Sequence, residues 1–193
     1  MNNYPEYVEV EGKRYKINTD FRVAIECNRI AEDDTIGDME RALGILCTLY
    51  GEESMDNPEH WDKLLRLAQK YLSCGKEIDS REEADMDFIE DMDYIEASFM
   101  SDYHMDLASE KMHWWKFFNL INGLSNSEMG NCCVLNRVRN LRNYDVSTIK
   151  DANERSKIIK AKQQVALKKQ EKEVTLTNEQ QESVDEFYKA LGF

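Results

Sequence analysis

The chain has 193 residues, 41% of them hydrophobic, which is enough to fill a core and argues against wholesale disorder. Only two prolines and eight glycines occur, which favours helices over a turn-rich all-β fold. The net charge of −13 is uneven, with 11 Lys and Arg against 28 Asp and Glu over residues 1–110 and 14 against 10 thereafter, so the acidic front half argues against binding DNA or RNA.

Residues 7–18 alternate loosely around Glu11-Gly12 and predict a short β-hairpin. Thr19 or Asp20 can cap a first helix whose inner side carries Phe21, Ala24, Ile25, Asn28 and Ile30. A second helix is expected over 37–50, with Met39, Ala42, Leu43, Leu46 and Leu49 apolar and Gly51 ending it. Gly44 inside it implies close packing against another helix, since a mid-helix glycine costs about 1 kcal/mol relative to Ala. Asn57-Pro58-Glu59 opens a third helix that turns Trp61, Leu64, Leu65, Ala68 and Leu72 inward.

Residues 76–84 read as a charged connector, and from Asp85 the positions Phe88, Met92, Ile95 and Phe99 return at helical spacing. Ser109 is the expected cap of the next helix, Met112 to Leu124. Another starts after Ser125–Ser127 and carries Val134, Leu135, Val138 and Leu141. A Lys-rich helix is expected over 151–170, and Val184, Phe187, Tyr188 and Leu191 form a terminal amphipathic set. The fold class is mainly α: a compact helical domain over 1–145 with its N-terminal hairpin, and a polar helical extension over 146–193.

The helix around Trp114 is the most informative segment. At about 100° per residue, Trp114, Phe117, Phe118, Ile121 and Leu124 share one arc. Trp115 and Leu120 widen it to roughly 220°, broader than the stripe of an ordinary surface helix. Such a helix is either central to the core or covered by a partner. Of the two adjacent tryptophans, Trp115 is assigned to the surface. Trp114, Trp115, Phe118 and Ile121 are the candidate partner-binding residues, with Phe187 and Leu191 as a second candidate for docking or self-association.

Ten acids fall within residues 77–96. A calcium loop of the EF-hand type fails there, because Ile89 and Glu90 stand where an oxygen ligand and glycine are needed. A solvated helix face is the simpler account; a landing strip for a Lys-rich partner is the functional one. The three histidines and five cysteines contain no C-x-x-C and no H-E-x-x-H, so no metal or cofactor is expected. Gly75-Lys76 does not complete a P-loop and no G-x-S-x-G occurs, so no enzymatic activity is expected. Five cysteines, two of them adjacent, fit a reduced cytoplasm; the start lacks the pattern of a signal peptide, and no run reaches a membrane span.

The run Asp93-Tyr-Ile-Glu-Ala-Ser-Phe99, then Tyr103-His-Met-Asp-Leu107 and Met112-His-Trp-Trp-Lys-Phe117, resembles the small proteins encoded just before the tape-measure gene in long-tailed phages and prophages of Gram-positive bacteria. Val138-Arg-Asn-Leu-Arg142 and Lys162-Gln-Gln-Val-Ala-Leu167 extend the likeness, which covers about residues 16–170 and leaves the tail beyond 171 unmatched. The resemblance implies a tail assembly chaperone that coats the phage tape-measure protein in the host cytoplasm until the tail tube polymerises, and is then absent from the virion. It implies no cofactor and no enzymatic activity. The uneven charge adds the possibility of head-to-tail self-association. Two other classes compete: a structural tail-completion component, and an acidic inhibitor whose carboxylates mimic nucleic acid.

Overall fold

The computed structural model describes residues 4–76, 84–126 and 132–168. It is mainly helical, and its described residues group into two compact units, 4–76 with 84, 88–126 and 132–136, and 85–87 with 137–168. The terminal amphipathic set at 184–191, most of the charged connector and Ser127 lie outside the described residues.

The first unit opens with the expected hairpin, β1 (Tyr7–Val10) and β2 (Lys13–Lys16), antiparallel with Val8 opposite Tyr15. Its two-residue turn needs positive φ at both positions, and Glu11 (51°) and Gly12 (81°) supply it. Tyr15 is buried beneath the hairpin, where its hydroxyl meets His60 Nδ1 at 2.7 Å. His60 Nε2 faces Glu11 Oε2 at 3.5 Å, so the ring proton belongs on Nε2 and Nδ1 accepts the tyrosine hydroxyl. Glu11 also pairs with Lys63, which holds its carboxyl below the usual range.

Asp20 caps α1 (Phe21–Ala31), accepting the Arg22 N–H at 3.0 Å. Helix α2 (Asp38–Tyr50) packs on α1, and a Cβ at Gly44 would stand 3.2 Å from Ile30 Cγ2, the close approach the glycine implied. Leu46, Leu49 and Tyr50 are buried, whereas Met39 is 64% exposed. The buried residues of α2 all lie in its C-terminal half, which leaves apolar Met39 and the first turn in solvent. A 3₁₀ turn at Pro58–His60 leads into α3 (Trp61–Leu72), which buries Leu64, Ala68 and Tyr71.

Three helix starts differ from expectation, among them that of the helix Val134–Asn143, which begins well after Ser125–Ser127. Helix α4 spans Met92–Tyr103, and Phe88–Asp91 form turns instead of its first coils. Asp87 and Asp91 would repel at i, i+4 in a helix starting at Asp85. Asp85 is instead fixed in the second unit, where Arg139 Nε donates to its carboxylate at 3.1 Å and Arg142 Nη1 to its carbonyl at 2.9 Å. Helix α5 (Trp114–Asn122) is capped not by Ser109 but by His113. Ser109 and Glu110 close a separate turn on the Asp106 carbonyl, and His113 pairs with Asp20 in an isolated antiparallel bridge.

Phe117 of α5 is stacked between Phe21 of α1 (4.3 Å) and Phe99 of α4 (5.3 Å), which makes α5 the centre of this unit. Helix α6 (Val134–Asn143) begins here, with the Leu135 N–H donating to the Ser98 hydroxyl and Asn136 Nδ2 bonding the Leu124 carbonyl.

In the second unit, the rest of α6 is followed by α7 (Ala152–Gln164), which ends short of the expected 170 because the chain turns at Val165 and buries Leu167. Asp151 caps α7 on the Glu154 N–H, and Arg142 Nε donates to the Val165 carbonyl at 2.6 Å. Asp85 joins Arg139, Arg142 and Asn143 at the head of this unit. Asp85→Ala removes the carboxylate that Arg139 and Asn143 bond, and should cost about 1–3 kcal/mol. Urea unfolding followed through the exchange of α6 and α7 amides checks it; an unchanged midpoint would show that the ion pair is idle.

Candidate partner-binding surface

The site is built from the start of α5 outward. His113 holds the extended backbone that lets its Nδ1 accept the Trp115 N–H at 3.0 Å, so its Nε2 carries the proton and donates to the Pro5 carbonyl at 3.1 Å. Its ring stacks on Tyr4 (4.9 Å) and meets Tyr71 edge-on (5.9 Å). One histidine thereby joins the N-terminal segment, the end of α3 and the start of α5.

The two tryptophans close the end of α3. The last carbonyls of a helix lack partners inside it, and here Trp114 Nε1 donates to the Leu72 carbonyl at 3.0 Å and Trp115 Nε1 to the Tyr71 carbonyl at 2.9 Å. The chain leaves α3 through Cys74 (φ 54°) and Gly75 (φ 72°), and a Cβ on Gly75 would lie 3.7 Å from the rim of the Trp115 indole.

Trp114 (1% exposed) and Ile121 (3%) of the candidate residues are interior. Trp115 and Phe118 are half-buried and follow each other at i, i+3 along the outer side of α5, with exposed Asn119 and Asn122 beside them. Lys76 lies over the Phe118 ring at 4.9 Å, and Tyr4 touches Trp115 edge-on at 6.3 Å. The result is a narrow aromatic strip edged by amides and one cation, suited to an amphipathic partner. Phe187 and Leu191 lie outside the described residues. His113, Tyr4, Tyr71 and Lys76 were not singled out as site residues, since they reach the strip from three separate segments and share no period.

Among the described residues, the acids of the run 77–96 are not all exposed. Asp85 is paired with Arg139 and Asp91 is buried, while Glu90, Asp93 and Glu96 are exposed. A mimic of a phosphate row needs exposed carboxylates, and Asp85 and Asp91 are turned inward. Among the described residues, no group of three or more His, Cys, Asp or Glu is placed to hold a metal ion, and no helix is long and apolar enough to cross a membrane. The five cysteines are free thiols, with Cys27 and Cys133 buried.

No curated protein and no solved structure matches the chain. A family model described as bacteriophage Gp15 protein matches residues 1–167, nearly the whole described chain, and the protein therefore belongs to this bacteriophage family.

Proposed function

We propose that this protein is a phage tail assembly chaperone that binds the tape-measure protein and keeps it soluble in the host cytoplasm before the tail tube polymerises. It acts by binding, not by catalysis, and leaves before the virion is complete. The observation that carries this reading is membership of a bacteriophage family over residues 1–167, joined to the resemblance of the His113–Phe117 run to proteins encoded before the tape-measure gene. The aromatic strip at Trp115 and Phe118 supports it physically: half-buried rings beside amides can grip an apolar helix face and release it again. The net charge of −13 keeps such a complex dissolved.

The test is co-expression with the long helical protein encoded downstream. The partner should stay in the soluble fraction and co-purify only when this chain is present, and mass spectrometry of finished particles should not find the chain. Phe118→Ser should weaken capture about tenfold while shifting the melting temperature by only a few degrees, because the ring is half-buried. A partner equally insoluble with and without the chain would refute the reading.

A further inference from the structure

The hairpin is a sheet of two strands, so each strand has an outer edge. Tyr7 stands opposite Lys16 and Glu9 opposite Arg14. The Ile17 N–H donates to the Glu6 carbonyl at 2.8 Å, which fixes the alternation of the ladder. Residues 6 and 17, 8 and 15, and 10 and 13 are the hydrogen-bonding pairs, and Arg14 and Lys16 direct their N–H and C=O groups away from β1. Among the described residues, no other segment takes these groups. Tyr7 and Glu9 present similar groups on the other side, but β1 is the strand packed alongside α3.

The side chains say what such an edge accepts. Lys13, Arg14 and Lys16 place three cations in four residues, within a half-chain that holds 28 acids. Arg14 and Lys16 are exposed on the outer face of the sheet, with Arg14 lying over the Tyr7 ring at 4.4 Å. Basic residues on an edge repel an identical edge, so antiparallel β2-to-β2 pairing of two copies is disfavoured. The strand already paired to β2 shows the matching pattern: Val8-Glu-Val-Glu11 alternates apolar and acidic residues, with Glu9 opposite Arg14.

We propose that the outer edge of β2 captures an extended segment of a partner protein with alternating apolar and acidic residues, adding it as a third antiparallel strand. Main-chain bonds at Arg14 and Lys16 hold the segment, and its carboxylates face the two cations across the strand. A third strand also strengthens a hairpin that is marginal alone. This inference is independent of the tape-measure reading.

The probe is a synthetic peptide, Val-Glu-Val-Glu-Val-Glu, titrated into the full chain and followed by amide hydrogen exchange. The Arg14 and Lys16 amides should slow, while those of Val8 and Tyr15 stay as they are. Lys16→Pro removes one outward N–H without losing any bond to β1, so the hairpin should fold and the peptide should no longer bind. Arg14→Glu with Lys16→Glu should weaken the acidic peptide about tenfold and favour Val-Lys-Val-Lys-Val-Lys instead. Unprotected amides at saturating peptide, or binding untouched by Lys16→Pro, would overturn the proposal. Equal affinity for a Val-Thr peptide would overturn it too, as would concentration-dependent self-association that protects the same amides.

Discussion

Trp114→Ala is expected to lower the unfolding free energy by about 3–5 kcal/mol, the range for deleting a large aromatic side chain from a core. The side chain is 1% exposed and sits against Phe88, Phe117 and Phe118, at ring separations of 5.4, 5.9 and 5.7 Å. Few neighbours can collapse into the space it leaves, because Phe117 is itself held between Phe21 and Phe99. A loss of this size is a large fraction of the total stability of a domain. Urea denaturation monitored by far-ultraviolet circular dichroism measures it directly. Trp114→Phe separates the two parts of the loss. It keeps most of the apolar volume but removes the indole N–H that serves the Leu72 carbonyl, and should cost about 1–3 kcal/mol. If the alanine variant unfolds at the same urea concentration as the parent, α5 is not the centre of the core and the assignment of Trp114 is wrong.

The contrast between Trp114 and Phe118 defines what sequence periodicity can and cannot reveal. An arc of 220° around α5 was legible, and so was its alternative meaning, central helix or covered helix. The assignment of Trp115, not Trp114, to the outer side agrees with their burial, but how far each ring is covered was not legible, because the boundary between core and strip is set by neighbours far away in the chain. Phe117 is central because Phe21 and Phe99 stack on it, and Trp115 is half-covered because the end of α3 receives its indole N–H. The hairpin was legible because Glu11-Gly12 is a local turn signal; the bond from Tyr15 to His60 spans 45 residues and has no local signature. The start of α4 was misplaced for the same reason. Phe88 is spaced like the helical residues after it, yet Asp85 is committed to Arg139 and Arg142, more than 50 residues onward. Gly44 is the converse case, a local oddity whose long-range cause, the Ile30 side chain, was correctly anticipated in kind.

A second large effect should appear on the alkaline side and rests on Cys27. This thiol lies in α1 with no exposed surface, and burial pushes its pKa up to about 12, with the neighbouring Glu26 carboxylate adding to the shift. In the unfolded chain the same group titrates near 9.0. The folded state therefore holds a proton that the unfolded state releases, so the stabilisation is complete below the unfolded value and is lost as pH rises towards the folded one. Between pH 8 and pH 10 the unfolding free energy should fall by about 1.4 kcal/mol through Cys27 alone. Cys74, also raised to about 12 by burial and opposed by Lys76, adds less because it is partly open to solvent. Tyr50 and Tyr71 are likewise held above the ordinary phenol range by burial and enter only at higher pH. Cys27→Ala separates this linkage from simple packing. The cavity lowers stability by a similar amount at every pH, whereas the loss between pH 8 and pH 10 should shrink by the share of one thiol. Urea midpoints at four pH values across that window decide the matter, and an undiminished slope in the variant would mean that Cys27 ionises as readily folded as unfolded.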